Sequence, residues 1–600
     1  MTATVPGTRL GSAGIALAIA IASFAAYWPA IHGGWLWDDR LEVVDNVNVH
    51  AASGWWRCWV APEGMDYFPI KGMAQWAEWH LWGNLTTGYH LANVALHLIA
   101  SLLAWRLFTR LGIAFGWVGG AVVALHPLAV ESVAWIAEFK NELCLVFLLM
   151  AANGYIASER GGTKRSYVLA LTAFVLALLS KSTVVMFPVV CLCYDLWAKR
   201  RIVWRDLLRA APFFLASLLL GLVTVAFQSR RAIGLAGPMP GLHDRVGQAG
   251  WSLLAYLGHA VLPWHLTPIY LPIAADLPVI VPWVLLCLIA VALWIAGGVW
   301  RRHGLMALAV FSALLAPILG ILPMSYLRVA PRADHLAYIG LIPLGALAAG
   351  IAGRMASLER RLGAVAIGCI LIGCFVGTRS QAAIFSSPRA LWSAATERSP
   401  RSWLAAANLG KEALDERQFR EAASLLDRAE ALRPDSAEVR LDRGNAYKQL
   451  GQPGVADAEY RKAMALDPSF PGAYYDLGVL LLERGDAVGA SEALKEALHL
   501  DANDAAAHND FGLALNRMGD VRQASLEFSE AIRLDPANKE AHLNLGNLLA
   551  REGKPAAAIT QYRLALAIDP TYAAARANLA EVLRAYGRPL PENGAPVSRP

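Results

Sequence analysis

The first two-thirds of the chain alternates long apolar runs with short charged loops. The runs fall at residues 13–31, 89–109, 116–135, 141–157, 166–180, 183–198, 210–228, 280–299, 304–322, 335–353 and 361–378. Each approaches the roughly 20 residues that a helix needs to cross a bilayer core, so the pattern predicts about eleven spans within residues 1–390. The first run continues into Tyr27-Trp28-Pro29 with no small-residue cleavage pattern, and reads as a signal anchor rather than a signal peptide. From residue 399 the apolar positions take up a helical period and the sequence begins to repeat.

The repeat keeps a fixed step of 34 residues through Gly410, Gly444, Gly478, Gly512 and Gly546, and through Pro434, Pro468, Pro536 and Pro570, with Ala502 in the missing proline's place. Ala422, Ala456, Ala490, Ala524 and Ala558 share it, as do Ala429, Ala463, Ala497, Ala531 and Ala565. Small residues let two helices of a unit approach closely and proline closes the second, which is the tetratricopeptide (TPR) pattern. Five repeats over about 403–572 and a capping helix over 572–587 are predicted, a solenoid spanning 399–587. The tail 588–600, rich in Pro and Gly, is expected to be disordered. The fold class is therefore all-α, a polytopic helical membrane part followed by a TPR α-solenoid.

Composition sharpens this division. The chain is 56% hydrophobic and 17% charged, with mean hydropathy +0.40, which excludes an ordinary soluble enzyme. Residues 1–398 hold 29 Lys/Arg against 18 Asp/Glu, and residues 399–600 hold 24 against 29. The basic surplus lies between apolar runs, as membrane topology requires, and does not point to nucleic acid. With the N-terminus inside, the inner loops carry Arg106/Arg110, Arg160-Lys164-Arg165, Lys199-Arg200-Arg201-Arg205-Arg209, Arg301-Arg302 and Arg354-Arg360-Arg361. The stretch 248–267 is read as an outer-face re-entrant or interfacial helix, because counting it as a span would turn the last two basic loops outward. An odd span number then puts residue 379 onward outside, with the repeats periplasmic if the membrane is a bacterial inner membrane. Only Cys58 of seven cysteines lies outside an apolar run, so no disulfide framework is expected.

Ionisable groups in or beside spans are functional candidates because burying them in lipid is costly. The first outer loop, 32–88, opens Trp35-Leu36-Trp37-Asp38-Asp39-Arg40, and two adjacent carboxylates suit a general base tuned by its neighbour, or a helix cap paired with Arg40. His90, Asn93 and His97 share one face of the second span, where they either line a cleft or bond neighbouring helices. His126 and Glu131 end the third span, and Glu138-Phe139-Lys140-Asn141-Glu142 follows in an outer turn. Lys181 sits in an apolar turn, where it either holds an anion or snorkels to headgroups. Before the tenth span come Arg328, Arg332, Asp334 and His335, and the cations among them suit a phosphate. No metal-ligand spacing or nucleotide-binding glycine loop occurs, so ATP-driven chemistry is not expected and a donor already energised in the membrane is.

Several motifs resemble those of the transmembrane, TPR-containing O-mannosyltransferases (TMTC-like) and their bacterial relatives, which belong to the GT-C class of glycosyltransferases. They are Trp37-Asp38-Asp39…Asp45-Asn46, Tyr67-Phe68-Pro69-Ile70, Leu81-Trp82-Gly83-Asn84…Gly88-Tyr89-His90-Leu91-Ala92-Asn93…Leu96-His97, Leu125-His126-Pro127…Val130-Glu131-Ser132-Val133-Ala134-Trp135, Leu179-Ser180-Lys181 and Ala333-Asp334-His335…Tyr338. The resemblance implies a GT-C-like glycosyltransferase in residues 1–390, a polyprenyl-phosphate-linked sugar as donor, an outer-face site and inversion at the anomeric carbon. It places the base on Asp38 or Asp39; by residue type, Lys181, Arg332 and His335 are then candidates to stabilise the leaving phosphate, and Glu131 either orients the acceptor or tunes the base, or forms a structural salt bridge. His90, Asn93, His97, His126 and Asp334 would line the cleft. A monophosphate leaving group does not demand a metal, so no cofactor is expected. His335 departs from the basic residue common at its position, and Phe139 and Asn141 stand where relatives often have Arg and Asp.

Position six of each repeat carries Asn408, Asp442, Asp476, Asp510, Asn544 and Asn578, a polar ladder expected on the concave face. Such a ladder either bonds the backbone of an extended acceptor protein or simply solvates that face and caps bonds between repeats. Two rival functions remain at this level: a non-catalytic membrane-anchored TPR scaffold for envelope or polysaccharide assembly, and transport of a lipid-linked sugar.

Overall fold

A computed structural model describes residues 11–62, 67–231, 241–271, 278–321 and 332–586. Arg328 and the tail 588–600 lie outside the described residues. These form helices and turns with no strand among them, divided into two compact units, Met1–Ala405 and Ala406–Pro600.

Each of the eleven apolar runs contains helix, yet among the described residues fewer have the length and apolarity to cross a membrane than the pattern predicts. Seven do: Ser12–Ile31, Thr86–Arg110, Ile136–Glu159, Ser182–Lys199, Trp204–Phe227, Asp334–Leu358 and Arg360–Ile384. The run 116–135 breaks into Gly116–Leu125 and Pro127–Ala134, bent by 51°, and would make an eighth. The cause is local: Pro127 has no N–H to donate, and it drives His126 into an extended conformation (φ −79°, ψ 128°). Three further runs form helices too short for that test, Lys164–Ser180 (17 residues), Val281–Ile295 (15) and Leu305–Leu315 (11). Among the described residues seven or eight helices therefore have spanning length, against about eleven expected. The helix Leu242–Val261 is not among them.

Close approach of backbones organises the membrane unit. A Cβ on Gly119 would lie 2.4 Å from the carbonyl of Gly345, and one on Gly345 would lie 3.0 Å from that of Gly119. Two glycines facing each other let helices Gly116–Leu125 and Leu341–Leu358 touch main chain to main chain, a contact that apolar attraction alone does not provide in lipid.

From Trp403 the described residues form five helix pairs, beginning Trp403–Asp415 with Phe419–Leu432 and ending Lys539–Arg551 with Pro555–Ile568, and then the single helix Ala573–Ala585. Each 34-step glycine faces a bulky residue of the second helix. A Cβ on Gly444 would stand 2.4 Å from the Tyr460 ring, which is fully buried and holds its hydroxyl 2.6 Å from Asn445 Oδ1. Because that ring cannot step aside, Gly444→Ala is expected to destabilise the repeats by about 1–3 kcal/mol. Thermal melting followed by circular dichroism would read this as a lower Tm, and an unchanged Tm would mean that the ring moves at no cost. A second series escaped the sequence reading: the turn inside each pair needs positive φ, met by Gly451, Gly485, Gly519 and Gly553 but by Arg417 (φ 61°) in the first repeat.

Candidate active site in the membrane unit

The turn after the first helix positions the acidic pair and gives its two members different surroundings. Asp39 accepts hydrogen bonds from Leu36 N–H at 2.7 Å on Oδ2 and from Ala137 N–H at 2.6 Å on Oδ1, and is fully buried. Burial pushes its carboxyl up to about 8, against the pull of those two donors. Between them Trp37 adopts a left-handed backbone (φ 31°), a strained conformation held because its ring stacks on Trp135 at 5.6 Å and meets the edge of Trp392 at 5.0 Å. Asp38 is left half-buried. Burial raises its carboxyl above the ordinary range, Lys140 and then His335 and Lys71 lower it, and Glu138 raises it.

Facing Asp38 is a buried network centred on Glu138, in the short turn Ile136–Glu138 ahead of helix Phe139–Glu159. Its Oε1 lies 3.1 Å from Lys140 Nζ; its Oε2 lies 3.3 Å from Lys181 Nζ and accepts from Asn141 Nδ2 at 2.7 Å. Lys181 also donates to Asn141 Oδ1 at 2.5 Å. Glu42 extends the network, pairing with Lys71 and lying 3.7 Å from Lys140. Three ammonium groups therefore crowd around two carboxylates. Burial, and next the neighbouring Lys140, holds Lys71 well below the usual lysine range.

Glu131 shapes the opposite wall. Its Oε2 accepts from the backbone N–H of Asp334 (2.8 Å) and of His335 (3.2 Å), and its Oε1 lies 2.7 Å from His335 Nδ1. Both oxygens are spent on the turn Asp334–Ala337, so Glu131 aims the imidazole, whose Nε2 lies 3.9 Å from Glu138 Oε2. Asp334 faces elsewhere: both its oxygens accept from Tyr270 at 2.9 Å, and Arg332 lies over the Tyr270 ring at 5.1 Å.

The polar stripe of helix Thr86–Arg110 packs between elements. His97 meets the Tyr338 hydroxyl at 2.7 Å and the Ala124 carbonyl at 3.2 Å, and Asn93 donates to the Trp135 carbonyl at 3.2 Å. His90 is buried against Gly33, and His126 Nδ1 accepts from Leu128 N–H at 3.2 Å. The structure thus gathers Asp38, Asp39, Glu131, Lys181 and His335 around Glu138, and sets Arg332 and Asp334 beside them with Tyr270. Sequence reasoning passed over Glu42 and Lys71. Nothing marks them locally; only the motif flanking Tyr67-Phe68-Pro69-Ile70 lies near Lys71.

One group of carboxylates among the described residues has ligand-like spacing: Glu159, Asp195 and Asp206. Lys199 Nζ lies 2.8, 3.0 and 2.6 Å from the three and already supplies a cation there.

In the repeat unit the polar ladder is cross-linked. Asp476 accepts from Asn445 (2.9 Å), Asp510 from Tyr475 (3.0 Å) and Asn509 (3.0 Å), while Asn544 donates to Asn509 (2.9 Å) and Asn578 to Asn547 (2.6 Å). Asn408 and Asp442 are half-buried at the N-terminal end of the ladder. Burial pushes Asp442 up to about 6 and also raises Asp476 and Asp510.

Apolar helices of spanning length beside a helical-repeat solenoid define a multi-pass membrane protein with a TPR module. The Tetratricopeptide repeat family matches residues 407–451, 451–509 and 509–573. Over about 30% of its length the chain is a distant homologue of the TMTC-like protein O-mannosyltransferases. It is 25% identical over 195 residues to Protein O-mannosyl-transferase F38B6.6 of Caenorhabditis elegans, covering 30% of this chain and 27% of that one. To Protein O-mannosyl-transferase TMTC1 of Homo sapiens it is 27% identical over 218 residues, covering 32% and 24%. The chain thus spans about a quarter of the length of the curated relatives it matches. Among solved structures, YrrB, a TPR protein with an unusual peptide-binding site, is 22% identical over 31% of this chain and 96% of its own, with a TM-score of 0.27.

Proposed function

We propose that the chain is a membrane glycosyltransferase that moves a sugar from a polyprenyl-phosphate-linked donor to a hydroxyl of a protein acceptor. The observation that carries this reading is the half-buried Asp38, whose carboxyl feels Lys140 and Lys71, next to Glu138, which holds Lys140 and Lys181. A base and a group of cations in one cleft match the two charges that such a reaction moves. Asp38 takes the proton of the acceptor hydroxyl as its oxygen attacks the anomeric carbon. The phosphate leaves with its electron pair towards the ammonium groups, which stabilise the charge where it develops. His335, aimed by Glu131, is a further donor to that phosphate, and Arg332 lies beside the same wall. Asp39 and Glu131 act as positioning residues. Direct attack from the face opposite the phosphate gives inversion, and no step requires a metal.

Homology to protein O-mannosyl-transferases supports a glycosyl transfer, with mannose as the first sugar to test. The repeats supply an acceptor-binding arm in this reading: Asp442, Asp476 and Asp510 favour hydroxyl-rich or basic segments over acidic ones. The alternation of the basic loops requires the bent pair and the three shorter helices to cross as well; taken so, it supports an N-terminus in the cytoplasm, with the site and the repeats outside it, in a bacterial inner membrane. The test is mass spectrometry of outer-face proteins from cells with and without the gene. A hexose mass present only with the gene is the expected result; identical glycoprotein profiles would sink the proposal.

A further inference from the structure

A second cavity lies away from the Glu138 network. It has a volume of about 900 Å3 and sits between the C-terminal end of Thr86–Arg110 and helices Phe139–Glu159, Phe187–Lys199, Leu305–Leu315 and Leu341–Leu358. Its wall is apolar, with Leu148, Leu149, Val190, Val310, Leu314 and Ile342 among its residues. Arg302 and Arg354 are the formally charged residues in that lining, and it contains no Asp or Glu.

The rim is organised around Trp197. Arg302 Nη2 donates to the Trp197 carbonyl at 2.9 Å while its guanidinium lies 5.1 Å from the indole centre, and Trp197 Nε1 donates to His303 Nδ1 at 3.1 Å. Arg302, His303 and Arg354 are all exposed. Along helix Phe139–Glu159, Asn141 borders the Glu138 network and Ile156 lines the cavity, a separation of about 22 Å at the rise of an α-helix. A phosphate at this rim is therefore remote from Asp38. Both arginines belong to loops whose basic surplus reads as inner-side.

We propose that this cavity binds an anionic glycerophospholipid, with its acyl chains among the apolar helices and its phosphate between Arg302 and Arg354. The charge of the rim selects the headgroup: two guanidinium groups without a neighbouring carboxylate match a phosphate by paired hydrogen bonds and gain less from a headgroup that carries its own cation. The site is separate from the donor site and does not depend on the glycosyltransferase reading.

Native mass spectrometry of the full chain in detergent tests it, with phosphatidylglycerol, phosphatidylcholine and polyprenyl phosphate as the added lipids. Phosphatidylglycerol is expected to be retained about tenfold more tightly than phosphatidylcholine, and the double variant Arg302→Ala/Arg354→Ala to lose that preference. Gly350→Leu serves as a control that does not touch the charge: a Cβ there meets nothing within 4 Å, and its side chain enters the cavity. Lower retention of phosphatidylglycerol at unchanged thermal stability is expected for it. Equal retention of the two phospholipids, or unchanged retention in the double variant, overturns the proposal. So does displacement of phosphatidylglycerol by polyprenyl phosphate, which would make the cavity a seat for the donor's lipid.

Discussion

Replacing Asp38 by Asn is expected to lower glycosyl transfer by about 10²–10⁴-fold while the protein accumulates at its normal level. Replacing Asp39 by Asn is expected to do something different. Both Asp39 oxygens face N–H donors, from Leu36 and Ala137, and an Asn side chain must turn its own NH2 towards one of them. A buried donor then meets a donor, at a cost of about 1–3 kcal/mol, so less folded protein should be recovered. The two adjacent carboxylates are thus told apart by activity per molecule on one side and by yield and Tm on the other. pH provides a second handle on Asp38. Its carboxyl is raised by burial and the proposed mechanism uses the carboxylate, so kcat/KM should climb as pH rises through the raised value. The acid limb should therefore lie above the ordinary aspartate value of about 4. Full activity in Asp38→Asn would remove the base from the mechanism.

Glu138→Gln is expected to have the largest effect on stability. The carboxylate serves Lys140, Lys181 and Asn141 at once and is buried. Removing its charge leaves ammonium groups in a poorly solvated cleft, and breaking a buried pair in this way costs about 3–5 kcal/mol. Scanning fluorimetry of the detergent-solubilised chain should show a clear drop in Tm. The same variant also reports on phosphate binding. If the cleft is an anion site, millimolar inorganic phosphate should restore more of the lost Tm in Glu138→Gln than it adds to the wild type. Equal gains in both would argue against phosphate at Lys140 and Lys181.

Features with a short-range cause could be read from the sequence. The 34-residue step of Gly444, Gly478 and Gly512 follows from a clash that each repeat must avoid, so the solenoid showed itself without any structure. Apolar length marked the membrane helices, but not their continuity: Pro127 bends one run, and Val281–Ile295 and Leu305–Leu315 are shorter as helices than their apolar runs suggest. Hydropathy measures composition, whereas a helix end depends on the hydrogen bonds of individual residues. Asp38, Glu131, Lys181 and His335 stood out because charges are rare among apolar neighbours. Glu42 and Lys71 did not, since both lie in the long outer stretch 32–88, outside any apolar run, and Glu42 meets Lys140 only when a segment distant in sequence packs against it. The ladder of Asp476, Asp510, Asn544 and Asn578 was legible as a pattern, but its bonds join neighbouring repeats, and spacing alone does not reveal them.

The bond from Ala137 N–H to Asp39 joins residues 98 positions apart. During synthesis the first helix enters the membrane long before residue 137 leaves the ribosome. Until then one Asp39 oxygen lacks its partner, Trp37 lacks the Trp135 ring that holds its strained backbone, and Asp38 has no fixed position. The acidic pair is therefore assembled late, from an early and a later segment. A nascent or truncated chain that ends before residue 137 can be anchored in the membrane yet lacks the contacts that set the proposed base in place.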